Sequence, residues 1–219
     1  MSTRPLDPWE QAYSDFETPA QEVAKFESRL RTLGADRLVS TSEILEICCG
    51  RGNALVAWQR LGYSRTVGLD WSVPLLQAYR GDAPRVAGDI RRMPIVDDAF
   101  DVVAVHGGLH HLPSLDDLDA TLREVARVVR HDGRIIIVEP WSTPFLTVVH
   151  AVSRQMLARR LSKRVDAFER MYELERTTYD AWLARPDAIL SIVRRYVEPI
   201  CLKRGWGKLM LLGRPVTRR

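Results

Sequence analysis

The stretch Ile44-Leu45-Glu46-Ile47-Cys48-Cys49-Gly50-Arg51-Gly52-Asn53 decides the fold. Its first six residues are apolar except for Glu46, which suits a strand buried on both faces. The glycines that follow make a turn and allow the backbone to approach a ligand closely. Asn53 then opens an amphipathic stretch to Leu61, whose N-terminal amides favour a negatively charged group. Strand, glycine turn and helix in that order are the building unit of doubly wound sheets.

The same alternation continues outward. TVGLD (66–70), VVAVH (102–106) and RIIIVE (134–139) are further apolar runs, and a third strand is expected to end near Gly88-Asp89-Ile90. Between them, Leu115–Val129 places Leu118, Leu122, Val125, Val128 and Val129 at helical spacing, with Ser114 as N-cap and Asp116 and Asp117 in the first turn. Asp132-Gly133 supplies the turn into the strand at Arg134. This pattern predicts an α/β fold, a parallel sheet covered by helices. Upstream, Pro19 to Leu33 reads as one amphipathic helix ended by Gly34. From Pro144 to about Tyr196 there is no strand signal, only two or three helices. The last stretch, YVEPICLKRGWGKLMLLGRPV, reads as an antiparallel hairpin turning near Arg204-Gly205.

Composition narrows the class. At 219 residues the chain fits one domain with a sizeable core, and 46% hydrophobic residues exclude a disordered chain. Three cysteines are too few for a secreted disulfide scaffold, and no apolar run has the length of a signal or transmembrane segment. A soluble, cytoplasmic protein is expected. Residues 1–140 hold 16 basic and 21 acidic side chains, whereas 141–219 hold 16 and 7. The basic half is read first as solvated helix faces and second as a surface for nucleic acid, membrane or an anionic substrate.

Gly68-Leu69-Asp70 ends the second strand with a carboxylate 20 positions beyond Gly50, where a doubly wound fold binds ribose hydroxyls. A dinucleotide fingerprint also needs glycine at the sixth position from Gly50. That position is Leu55, so no close helix-to-strand contact is provided for and the NAD-dependent oxidoreductase reading weakens. Asp89, at the end of the third strand, has the chemistry to accept a hydrogen bond from an adenine amino group, with Ile90 as an apolar wall.

These residues together resemble the class I S-adenosylmethionine-dependent methyltransferases, and more closely the small-molecule, type 11 branch that includes the ubiquinone and menaquinone methyltransferases. ILEICCGRGN, VGLDWS, GDIRRMPIVDDAFDVV, GGLHHL and REVARVVRHDGRIIIVEP carry the resemblance, in the order the family has them, from about Ser42 to Pro140. It implies about seven strands in a mostly parallel, Rossmann-like sheet with a terminal antiparallel hairpin. It divides a single domain of 1–219 into an N-terminal helical cap (1–40), a cofactor-binding core (41–140), a helical lid (141–193) and the hairpin (194–219). It also implies cofactor contacts from Glu46, Cys48, Gly50, Gly52 and Asn53, ribose binding by Asp70, adenine contacts from Trp71, Asp89 and Ile90, and His106 beside the methionine portion. S-adenosylhomocysteine would be the product. Where the family usually has glycine, this chain has Cys48, which implies a modest change in cofactor placement.

Methyl transfer is an in-line displacement, so the protein must align a nucleophile and exclude water, and a general base is needed only for a protonated nucleophile. His110 or His111 would serve as base or substrate contact, or else cap and pack the loop. No metal is expected, because no carboxylate or cysteine cluster accompanies the histidines at ligand spacing, and Cys48-Cys49 lacks the spacing of zinc or thioredoxin motifs. Glu46, costly to bury unpaired, either faces the loop amides or the cofactor ammonium or forms a structural ion pair. After the fifth strand, Trp141 and the stripe Phe145, Val149, Val152 and Met156, with Arg154, Arg159, Arg160, Lys163 and Arg164 nearby, read as core or as the wall of an acceptor site. The acceptor would then be small and partly apolar, or lipid-like if the stripe faces a membrane. Trp9 and Tyr13 are placed over the cofactor by analogy with similar enzymes. Nucleic-acid or protein methylation is an alternative, but no Asn-Pro-Pro-Tyr-like motif follows the fourth strand. A non-catalytic cofactor-binding partner subunit is another.

Overall fold

The computed structural model describes residues 8–155 and 160–216, so Met156 and Arg159 of the stripe, and the ends of the cap and hairpin, lie outside the described residues. Seven strands form one sheet: β1 (Ile44–Ile47), β2 (Thr66–Asp70), β3 (Arg85–Ala87), β4 (Phe100–His106), β5 (Val129–Pro140), β6 (Val197–Gly205) and β7 (Lys208–Pro215). Their order is β3-β2-β1-β4-β5-β7-β6. The pairs among β1 to β5 are parallel, and β7 enters antiparallel between β5 and β6.

The central strands are apolar on both faces because both are covered. Leu45, Ile47, Val103, Val105, Ile135 and Ile137 face a core shared with α5 (Leu115–Val128) and α8 (Pro186–Tyr196). Their alternates Ile44, Val102, Ala104, Ile136 and Val138 face α2 (Pro19–Thr32) and α3 (Asn53–Arg60). Glu46 lies on that second face, fully buried. Helix α5 starts as its sequence foretells, with the Ser114 side chain accepting from the Asp117 amide at 3.0 Å. Thr18 and Gln21 close a capping box on α2, and Gly34 leaves the helix at φ 75°.

The expected dinucleotide defect is repaired from the other side. A Cβ added at Gly68 on β2 would come within 2.9 Å of Leu55 Cδ1 and 2.7 Å of Cys49 Sγ. The close approach of α3 to the sheet is therefore provided by a glycine in the strand, so Leu55 is no obstacle to it.

Two boundaries differ from expectation. The hairpin turns at Trp206-Gly207, with φ of 51° and 73°, and Gly205 pairs with Lys208. Two positive φ values in a two-residue loop match strand twist, and the Arg204-Gly205 reading was out of register by two. Strand β5 begins at Val129, and Asp132-Gly133 sits in an irregularity between the Phe100–Val129 and Val102–Arg134 pairs.

The segment between β5 and β6 holds α6 (Pro144–Ser153), α7 (Lys163–Leu183) and α8, while α1 (Pro8–Phe16) precedes the sheet and α4 (Val73–Ala78) follows β2. Helix α7 packs on α1 through Phe16 and Phe168 (5.8 Å between ring centroids), Arg170–Asp15 (2.9 Å) and Arg164–Glu17 (3.1 Å). Among the described residues no helix is long and apolar enough to cross a membrane.

Candidate functional site

The carboxyl ends of the parallel strands open into a cavity of about 1690 Å³. It is walled by the glycine loop, the ends of β2 and β4, α1, α2, α6, α7 and the β6–β7 turn. Open parallel sheets bind ligands at this edge because the strand order reverses there, here between β1 and β4.

Asp70 ends β2 with its Oδ2 accepting the Gly50 amide and its Oδ1 the Ser72 amide, both at 2.8 Å. One carboxylate thus fixes the glycine loop and the start of α4 relative to each other. In that loop Cys48, Gly50 and Gly52 have φ of 54°, 53° and 78°. A left-handed φ costs a non-glycine residue about 1–2 kcal/mol, which gives a physical reason for the glycine that the resemblance implies at position 48. The Cys48 side chain fits because Gly108 opposite has none: a Cβ there would overlap Cys48 Cβ and Sγ. Gly108→Ala is expected to destabilise by about 1–3 kcal/mol. Most of that loss should be recovered in a Cys48→Gly background, giving a coupling of about 1 kcal/mol in urea unfolding. Purely additive effects would show that the two positions do not share this space. Burial pushes both Cys48 and Cys49 thiols well above their ordinary range, with Asp70 adding to it, so neither is a ready thiolate.

Glu46 is held by the protein on both oxygens, with Trp58 Nε1 donating to Oε2 at 2.9 Å and His106 Nδ1 at 2.7 Å from Oε1. A proton on Nδ1 satisfies that contact and leaves His106 Nε2 as an acceptor; Nε2 is buried and has no partner. His106 lines the cavity, so the pair presents an acceptor suited to an ammonium donor such as an amino-acid cofactor carries.

Trp71 stands at the mouth, 83% exposed, and Ile90 is buried in the wall. Asp89 also lines the mouth but is engaged by Arg91, at 2.7 Å from Nη2 and 3.0 Å from Nε, which lowers its carboxyl. Gly52 and Asn53 do not line the cavity: Asn53 Nδ2 donates to Glu22 Oε2 at 2.6 Å and so holds α2 to the loop. Tyr13 lines it, stacked on Trp9 at 5.3 Å, with its hydroxyl on Glu22 and the Arg51 guanidinium 4.4 Å from its ring.

The loop after β4 brings the remaining chemistry. His110 Nδ1 is 2.7 Å from Glu139 Oε2, while Glu139 Oε1 accepts the Gly108 and Leu109 amides at 2.9 and 2.8 Å. Glu139 is fully buried at the end of β5, and three donors on one carboxylate fix the imidazole with Nδ1 protonated and Nε2 free to accept. His111 Nδ1 and His110 Nε2 lie 3.3 and 3.8 Å from Glu175 Oε2, which also accepts from Trp9 Nε1 at 3.0 Å. Burial raises Glu175 against the opposing pull of His110 and Trp9. Burial, with His110 beside it, holds His111 well below an ordinary imidazole.

A carboxylate therefore does accompany the histidines, contrary to the sequence reading. It comes from α7, too far along the chain for ligand spacing to reveal. The three donor atoms lie within 4.8 Å of one another.

Phe145 lines the cavity, 5.0 Å from the Trp206 ring, as do Val149 and Val152. Trp141 does not. It is buried in the core with its amide on Gly207 O (2.9 Å) and Arg204 over its ring, just past the last β5–β7 pair, Pro140 with Lys208. Sequence reasoning also passed over Glu139, whose signal was a carboxylate at the end of a buried strand, the same signal that marked Asp70. Glu22, Glu175 and Lys208 carried no such signal.

Fold and site together resemble those of class I methyltransferases. Residues 45–137, a little under half of the chain, match the family model for a methyltransferase domain. The demethylmenaquinone methyltransferase of Mycobacterium marinum is 34% identical over 136 residues, 62% of this chain and 57% of that one. The Mycobacterium tuberculosis protein of the same name is 32% identical over 158 residues, 70% and 65% of the respective chains. The chain thus spans less than two thirds of the length of these relatives. A solved Pyrococcus horikoshii protein has the same fold (TM-score 0.70, 15% identity, 97% of this chain and 100% of that one). So does a TehB-like SAM-dependent methyltransferase of Corynebacterium glutamicum (0.54, 18%, 91% and 100%).

Proposed function

We propose that this chain is an enzyme that transfers the methyl group of S-adenosylmethionine to an oxygen, nitrogen or carbon of a small, partly apolar molecule, releasing S-adenosylhomocysteine. The observation that carries the reading is the single cavity shared by the Asp70 loop and the Glu139–His110 pair.

The residues present suit that cofactor. Asp70 is buried to 8% exposure at the strand end that takes ribose hydroxyls, Trp71 and Ile90 offer apolar surface for adenine, and the orphaned His106 Nε2 suits the ammonium group. Bound there, S-adenosylmethionine supplies an electrophilic methyl on a sulfonium. The chain's own work is to hold the acceptor in line, to exclude water and to take a proton. His110 Nε2 takes that proton, and Glu139 holds the ring and stabilises the imidazolium. The segment 141–193, with α1 against α7, acts as the lid. Its apolar residues Phe145, Val149, Phe168 and Met171 face the cavity and favour a partly apolar acceptor over a nucleic acid. The demethylmenaquinone enzymes above support a ring-bearing apolar acceptor.

The test follows S-adenosylhomocysteine formation from S-adenosylmethionine, with and without candidate phenolic and lipid-like acceptors, before and after dialysis against EDTA. Acceptor-dependent product that survives EDTA is expected. Binding of the cofactor with no product from any acceptor would instead make the chain a non-catalytic partner subunit.

A further inference from the structure

The cavity holds positive charge that the proposed methyl transfer does not use. Lys25 and Arg29 on α2, and Lys208 at the first position of β7, all line it. Lys25 is paired with Glu17. The Arg29 guanidinium lies 5.9 Å from the Phe26 ring, where Glu17 and Glu22 favour its charge but burial outweighs them, and among the described residues neither Arg29 nor Lys208 forms an ion pair. Both are close enough to repel: Arg29 and Lys25 disfavour the charged form of Lys208, while Glu139 and Glu175 favour it too weakly to compensate for burial. Three cations gathered in one sheltered wall, of which Lys25 alone is in an ion pair, are costly for the free protein, and such an arrangement is explained by an anion that binds there.

The location gives that anion a place in the reaction. Lys208 pairs in the sheet with Pro140, the residue after Glu139, so it stands beside the carboxylate that holds His110. The same cavity is lined by Phe145, Val149, Phe168, Met171 and Leu174 of α6 and α7. A ligand that meets both the cations and this apolar lining has an apolar body and an acidic end.

We propose that Arg29 and Lys208 form an anion subsite in the acceptor half of the cavity, and that the methyl acceptor is an amphiphile carrying an acidic group. This rests on the reading of the cavity as a methyltransferase site. The free protein holds Lys208 down to about 7 through burial and the neighbouring Arg29. An anion restores its proton, so affinity should be level below pH 7 and fall as pH rises above it. The charged groups facing it are Arg29 and Lys25 from α2, Glu139 from β5 and Glu175 from α7.

The experiment titrates laurate and dodecanol, equal in chain length, into protein saturated with S-adenosylhomocysteine, following binding by calorimetry. Laurate is expected to bind at least tenfold more tightly than dodecanol. In Arg29→Met/Lys208→Met that preference should shrink to within twofold, with melting temperature and S-adenosylhomocysteine affinity unchanged as the folding control. Lys208→Arg should keep the preference and lose the pH dependence above 7. Equal binding of the two probes, or a preference that survives the double variant, overturns the subsite. If S-adenosylhomocysteine itself does not bind, the methyltransferase reading fails first and separately.

Discussion

His110→Ala is expected to lower turnover by about 10²–10⁴-fold while cofactor affinity stays nearly unchanged. The imidazole lies between a buried carboxylate and the cavity. Its Nδ1 is fixed on Glu139 at 2.7 Å, so the only ring nitrogen left to accept a proton is Nε2. Removing the ring deletes the proposed base and leaves the Asp70 loop intact, which separates the proposed catalytic step from cofactor binding. Glu139→Gln should give a comparable loss by a different route. The amide presents a donor either to the ring or to the Gly108 and Leu109 amides, so it cannot hold Nδ1–H and accept both amides as the carboxylate does. Both variants are read by S-adenosylhomocysteine formation at saturating cofactor. Full turnover in His110→Ala with the true acceptor would remove the base assignment and leave alignment alone as the source of rate.

The second large effect is on the cofactor. Asp70→Ala is expected to weaken S-adenosylmethionine binding by about 10²-fold or more, since hydrogen bonds to a charged group contribute about 1.5–3 kcal/mol each and the carboxylate would serve two ribose hydroxyls. It also frees the Gly50 and Ser72 amides that Asp70 now accepts, so a loss of about 1–3 kcal/mol in stability should accompany it. Asp70→Asn, which keeps one acceptor oxygen, should fall between. Calorimetry well below the melting transition separates the two losses. Unchanged cofactor affinity in Asp70→Ala would mean that this carboxylate is a loop brace and nothing more.

What the sequence made legible was local. Runs such as TVGLD announce a buried parallel strand because a strand covered on both faces lacks the polar alternation of a half-exposed one, and β2 occupies those five residues. Ser114, Asp116 and Asp117 announce the start of α5 because capping chemistry acts within one turn. The glycine loop and Asp70 were legible for the same reason, since strand end and turn are neighbours in sequence. Hidden features depend on pairing between distant segments. Glu139 meets His110 across 29 residues and Glu175 meets Trp9 across 166. Trp141 looked like a cavity residue because it follows a strand end, but its amide donates to Gly207 O in the β6–β7 turn and its ring is buried in the core. Leu55 looked like a defect because the compensating glycine, Gly68, lies in another strand. The hairpin turn slipped by two because both Arg204-Gly205 and Trp206-Gly207 carry a glycine, and only register with β5 distinguishes them.

The most direct measurement is a side-by-side calorimetric titration of the intact protein with S-adenosylmethionine and with NAD. Both cofactors carry an adenosine for the proposed site at Asp70 and Ile90, but only one would bring an ammonium to His106 and a sulfonium methyl to an acceptor beside His110. Saturable one-to-one binding of S-adenosylmethionine, weakened in Asp70→Ala, with NAD giving no comparable heat, is the expected result. Tight binding of NAD with none of S-adenosylmethionine would contradict the assignment of this cavity to methyl transfer.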